Sequence, residues 1–203
     1  MSLASDNQKM RRIPRQERAA KRVDALLDAA GDVIAERGFD AATMTAIAER
    51  AGTSIGAVYQ YFPNKDALVF ALRTRYGDEM EAQWSALGDA AQDCSVDELV
   101  DRIFALMTDF MASRPAYLPL LSVTLNFRRD AAARNRLRGR FAESFQRYNP
   151  ALADADAFRV AEVALQVVKS LNPLYAAAKP KERKALVDEY KLAVSSYLAT
   201  RLG

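Results

Sequence analysis

Apolar residues recur three and four positions apart along nearly the whole chain, as in Val23, Leu26, Leu27, Ala30, Val33 and Ile34. That period lines one face of a helix, whereas a strand needs alternation, and no alternating run occurs. Glycine and proline are sparse and stand where helices would have to stop, at Gly38, Gly52, Pro63, Pro115, Pro150 and Pro180. The pattern predicts an all-α chain. Its helices are expected over about 16–37, 43–51, 54–61, 64–88, 96–113, 115–123, 130–148, 154–178 and 181–202, with Gly38 closing the first and Asn64 capping the fourth.

At 203 residues, half of them hydrophobic, the chain can bury a substantial core. The longest uncharged apolar stretch, Pro115 to Phe127, falls short of the roughly 20 residues a membrane-spanning helix needs. Residues 1–9 are polar and carry no apolar export signal, so a cytoplasmic location is expected. Cys94 is the only cysteine and histidine is absent. An internal disulfide and the histidine-based catalytic arrangements are therefore excluded, and a Cys/His zinc site is not expected. Acidic residues are scattered as on solvated helix faces. The expectation is no enzyme, no catalytic residue, no metal and no cofactor.

The net charge of +3 is unevenly placed. Residues 1–22 hold Lys9, Arg11, Arg12, Arg15, Arg18, Lys21 and Arg22 against Asp6 and Glu17. A basic arm of that kind draws in a phosphate backbone by releasing its counterions, or simply keeps a tail soluble.

The chemistry lies in the two short helices that follow. A helix-turn-helix crosses two helices steeply, which demands a small residue at the crossing and a glycine in the turn. Ala48 and Gly52 meet those demands, with Ile47, Ala51, Ile55 and Val58 expected on the inner faces. The other face of the second helix, Ser54, Gly56, Ala57, Tyr59, Gln60 and Tyr61, is small, polar and aromatic without acid. Such a surface can lie against DNA. By spacing alone, Tyr59 and Tyr61 could equally be core aromatics and Lys65 a solvated cation.

From Thr43 to Leu68 the sequence TMTAIAERAGTSIGAVYQYFPNKDAL, preceded by Glu36-Arg37-Gly38-Phe39, resembles the signature of the TetR family of bacterial regulators. The close resemblance covers about residues 16–70. It implies an N-terminal three-helix domain with a helix-turn-helix (16–63) behind the basic arm (1–15), and a larger C-terminal helical domain for ligand binding and dimerisation (64–203). Carried over by position, it implies that Thr43, Tyr59, Tyr61 and Lys65 meet DNA phosphates, while Thr45, Ser54, Gly56, Ala57 and Gln60 face the bases. Gln60 suits direct readout, because an amide pairs bidentately with adenine.

Downstream, apolar stripes run along the last two helices: Val160, Val163, Ala164, Val167, Val168, Leu171 and Leu174, then Leu186, Val187, Tyr190, Val194, Tyr197 and Leu198. They predict a homodimer through those helices, which two recognition helices need in order to read a palindrome. Trp84, Phe104, Met107, Met111, Phe127 and Gln166 are expected to line a pocket for a small-molecule effector, with Asn126, Lys169 and Asn172 as further polar anchors. Large apolar groups at such spacing fit a plain core as well. The function expected is a ligand-responsive regulator of double-stranded DNA, a repressor released from a palindromic operator by a small molecule. The competing expectation is a helical protein-interaction regulator with a degenerate DNA-binding face.

Overall fold

Where each helix starts and stops follows from how its unpaired backbone groups are satisfied. The computed structural model describes residues 3–90, 94–123 and 131–203. Helix α1 (Leu3–Ala41) is broken at Gly38, whose φ of 78° suits a residue without a β-carbon. It begins well before the start expected near residue 16. The lysine, arginine, glutamine and methionine residues of 8–12 are good helix formers, and the helix continues through Pro14.

Helix α2 (Met44–Arg50) is opened by Thr43, whose Oγ1 accepts from the Ala46 amide at 3.1 Å. It is closed by a Schellman turn: Gly52 donates to the Glu49 carbonyl at 3.1 Å and Thr53 to that of Ala48 at 3.0 Å, with Gly52 at φ 64°. Helix α3 (Ile55–Tyr61) starts at Ser54, which accepts from the Ala57 amide at 3.2 Å. Helix α4 (Lys65–Ala90) starts at Asn64, whose Oδ1 accepts from Ala67 at 2.8 Å. Caps of this kind contribute on the order of 1 kcal/mol each.

The chain forms two units, Met1–Arg73 and Thr74–Gly203, so the division falls inside α4. In the first, α1 packs on α2 and α2 on α3. Its core is Leu26, Leu27, Ala30, Val33 and Ile34 of α1 with Ile47, Ala48 and Val58. Burial of each large member stabilises by roughly 1.5–3 kcal/mol. Arg50 adds a clamp from α2 to α1, reaching Glu36 at 2.5 Å and Asp32 at 3.6 Å.

The second unit contains the rest of α4 followed by α5 (Val96–Ser113), α6 (Tyr117–Leu121), α7 (Ala131–Tyr148), α8 (Asp154–Ala177) and α9 (Pro180–Leu202). Helix α5 opens with a capping box, in which Ser95 accepts from the Glu98 amide and Glu98 accepts from that of Ser95. Helix α6 is shorter than the expected 115–123. Pro115 lacks a donor, and Tyr117 is drawn into a tight turn onto the Arg114 carbonyl at 2.8 Å. Helix α8 packs against α7 and α9, α5 packs on α9, and α6 packs on α8. Phe104, Met107, Phe141, Phe145, Val168 and Leu198 form the centre of the core. Among the described residues no helix is long and apolar enough to cross a membrane.

Candidate nucleic-acid interface

Helix α3 is seven residues long and Val58 is its one buried residue. The helix therefore rests on α2 through Val58 and leaves much of its circumference open. Gly56, Tyr59 and Gln60 are exposed, Ala57 and Tyr61 half-buried, and the cap Ser54 exposed. Tyr59 is 50% accessible and is not consumed by the core. A β-carbon placed on Gly56 would meet only the Ser54 Oγ, at 3.9 Å. Packing does not require that glycine, and the surface at this position is bare.

Thr43 and Thr45 are exposed at the start of α2, and the Thr43 hydroxyl already caps the helix. Lys65 is half-buried. Its ammonium donates to the carbonyls of Phe39, at 2.9 Å, and Asp40, at 3.3 Å, and sits 4.2 Å from the Phe39 ring centroid. One of its three N–H bonds remains for an anion. The Arg50 guanidinium, by contrast, is spent on α1. Its hydrogen bond to Glu36 is the main cause holding the Glu36 carboxyl below its usual range, and it raises Arg50.

One expected inner-face residue is corrected. Ile47 and Val58 are fully buried and Ala51 is half-buried, but Ile55 is 41% exposed. It occupies the first position of α3, before the helix has turned its inner line onto α2. Sequence reasoning missed this outward group, although an isoleucine directly beside a cap residue on so short a helix was the available signal.

In the second unit, Trp84, Phe104, Met107 and Met111 of the residues expected around an effector lie in one buried cluster, and Gln166 lies apart from it. Trp84, Phe104 and Met107 are buried in the core; the Trp84 ring meets Phe141 edge-on at 5.5 Å. Gln166 and Lys169 are exposed on α8. Asn172 is buried, with Nδ2 3.5 Å from the Tyr117 hydroxyl and Oδ1 without a hydrogen-bond partner. Phe127 and Asn126 lie outside the described residues. Met111 borders an open groove of about 510 Å3.

Two sequence profiles divide the chain in step with these units. The profile described as "Bacterial regulatory proteins, tetR family" matches residues 26–72. That of the "Tetracyclin repressor-like, C-terminal domain" matches residues 95–198, more than half of the chain. The chain belongs to the TetR family.

Among curated TetR-type relatives, it is 40% identical over 77 residues to the HTH-type transcriptional activator FasR of Mycolicibacterium smegmatis, covering 38% of this chain and 33% of the relative. It is 37% identical over 73 residues to the HTH-type transcriptional repressor Rv1474c of Mycobacterium tuberculosis, covering 36% and 39%. The chain thus spans well under half the length of these relatives. Over nearly full length it is similar to the solved structure of a TetR-family transcriptional regulator from Streptomyces coelicolor, with a TM-score of 0.66, 25% identity, and coverage of 90% of this chain and 99% of that one. A TetR-family regulator from Pectobacterium atrosepticum, at TM-score 0.69 and 19% identity over 89% and 93%, shares the fold.

Proposed function

We propose that the protein is a transcriptional regulator that binds double-stranded DNA as a homodimer and releases a palindromic operator when a small molecule occupies its second unit. The observation that carries the reading is α3, with Val58 as its one fully buried residue and an acid-free outer surface. In this reading α3 enters the major groove, with Gln60 and Ser54 meeting base edges, Gly56 and Ala57 allowing close approach, and Ile55 touching a thymine methyl. Thr45 stands beside them on α2. The hydroxyls of Thr43, Tyr59 and Tyr61 and the remaining N–H of Lys65 take phosphates, as does the basic arm of residues 1–15. Residues 16–63 would then be the DNA-binding domain and 64–203 the ligand-binding and dimerisation domain, working in the cytoplasm.

The dimer is supported by what the second unit leaves uncovered. Val163 and Leu174 on α8 are 39% and 50% exposed, and Leu192 on α9 is 62% exposed. Around them Gln166, Ser170, Ala185, Ser196 and Ala199 are exposed and mostly small. Pairing α8 and α9 with the same helices of a second copy would bury this face and hold two α3 helices roughly 34–36 Å apart, or a multiple of a helical turn.

A mobility-shift titration with duplex DNA from upstream of the protein's own coding sequence tests the reading. A saturable complex of two chains per duplex is expected. Absence of any complex that survives competitor DNA would remove the regulator reading.

A further inference from the structure

We propose that the groove bordered by α5, α6, α8 and α9 binds a small organic anion, a carboxylate carried on an apolar body. Its walls include Met111, Pro115, Leu118 and Pro119 on one side and Tyr175 and Arg183 on the other. The volume of about 510 Å3 suits a small molecule. Arg183 is the only charged group among the described wall residues.

That arginine is held in place. Its Nε donates to the Ala178 carbonyl at 3.3 Å, and its guanidinium carbon lies 4.8 Å from the centroid of the Tyr175 ring. With Nε occupied, the four remaining N–H bonds are on Nη1 and Nη2, the pair that grips both oxygens of a carboxylate end-on. No carboxylate pairs with Arg183 among the described residues. Capping the end of α8 accounts for Nε alone. A guanidinium fixed at one edge, open at the other and set into an apolar wall is complementary to an anionic head joined to an apolar body.

The inference gives a ligand class to the effector site and rests on the proposed function only for its consequence on DNA. Calorimetric titration of the full chain with octanoate and with octan-1-ol, matched in chain length, tests the binding itself. Octanoate is expected to bind about tenfold or more tightly than the alcohol. Arg183→Gln should bring the two together, Arg183→Lys should restore part of the difference because it keeps the charge without the planar fork, and Ala176→Trp should block both. Melting curves confirm that each variant is folded. Equal affinities in the unaltered protein, octanoate binding untouched by Arg183→Gln or by Ala176→Trp, or no octanoate binding because a second copy closes the groove, would each overturn the proposal.

Mobility shifts with and without octanoate then separate the two readings. Octanoate that binds through Arg183 and loosens the DNA complex supports both. Octanoate that binds through Arg183 and leaves the DNA complex intact upholds the site and overturns its part in regulation. Failure to bind DNA at all removes the regulator reading while the calorimetric result stands.

Discussion

The ammonium of Lys65 lies 2.9 Å from the carbonyl oxygen of Phe39, tying the first turn of α4 to the turn that closes α1. A second carbonyl, that of Asp40, and the Phe39 ring complete its surroundings. Lys65 therefore fixes the geometry of the first unit, and in the proposed reading it also offers a charge to DNA. Lys65→Met keeps the stem and deletes the charge. It is expected to cost roughly 1.5–3 kcal/mol in stability, seen in urea melts, because hydrogen bonds to a charged group are lost. In titrations over a salt series it should weaken binding to every duplex and lower the salt slope by about 0.9, the value of one phosphate contact. Gln60→Ala should instead change sequence preference and leave the slope alone.

Gly56 separates folding from recognition. Nothing but the Ser54 Oγ lies near an added β-carbon, so Gly56→Ala is expected to leave the melting temperature unchanged or slightly raised. If α3 lies close against base edges, the same methyl should reduce operator affinity on the order of tenfold, within the ~1–3 kcal/mol of a disturbed base contact. Parallel melting and anisotropy measurements on this variant check both halves.

Leu192 is 62% exposed on α9. Leu192→Glu is expected to leave the folded chain within about 0.5 kcal/mol of its original stability, as surface changes usually do. Placed in a self-complementary interface, the introduced charge would face its own copy. Sedimentation velocity should then show a shift from dimer to monomer and, with it, loss of two-to-one DNA complexes.

The helix pattern was readable from periodicity because long amphipathic helices repeat their apolar positions many times; the bounds of α5, Val96–Ser113, match the expected ones. The turns were readable because they need particular residues: Gly38 and Gly52 at positive φ and Asn64 as a cap. What escaped was set by tertiary neighbours. Ile55 has the spacing of an inner-face residue, yet its place at the tip of α3 turns it outward. Lys65 reads as a solvated or DNA-facing cation, and only the return of the chain after Gly38 brings two carbonyls onto it. Likewise the burial of Trp84, Phe104 and Met107 in one cluster depends on the packing around them, which spacing along the chain does not reveal. Arg183 offered no periodic signal at all, since its interest lies in contacts with Tyr175 and Ala178 at the junction of two helices.

The capping box of α5 gives stability a defined pH dependence. Glu98 accepts from the Ser95 amide at 2.8 Å and from its hydroxyl at 3.2 Å, and these bonds hold its carboxyl below the usual range. A folded-state pKa lower than the unfolded one means that the contribution is complete above the unfolded value, about 4.3, and fades as pH falls through the folded value. Glu98→Gln removes the charge and keeps an acceptor. Melting temperatures of the two proteins should differ most near neutral pH and converge on acidification.

Selection of bound duplexes from a random-sequence pool tests most directly whether paired α3 helices read DNA. The account predicts enrichment of an inverted repeat whose half-sites lie a helical turn or a multiple of one apart, with the preferred base at one position in each half altered by Gln60→Ala. Enrichment of no sequence, or of a motif without two-fold symmetry that Gln60→Ala leaves unchanged, would contradict it.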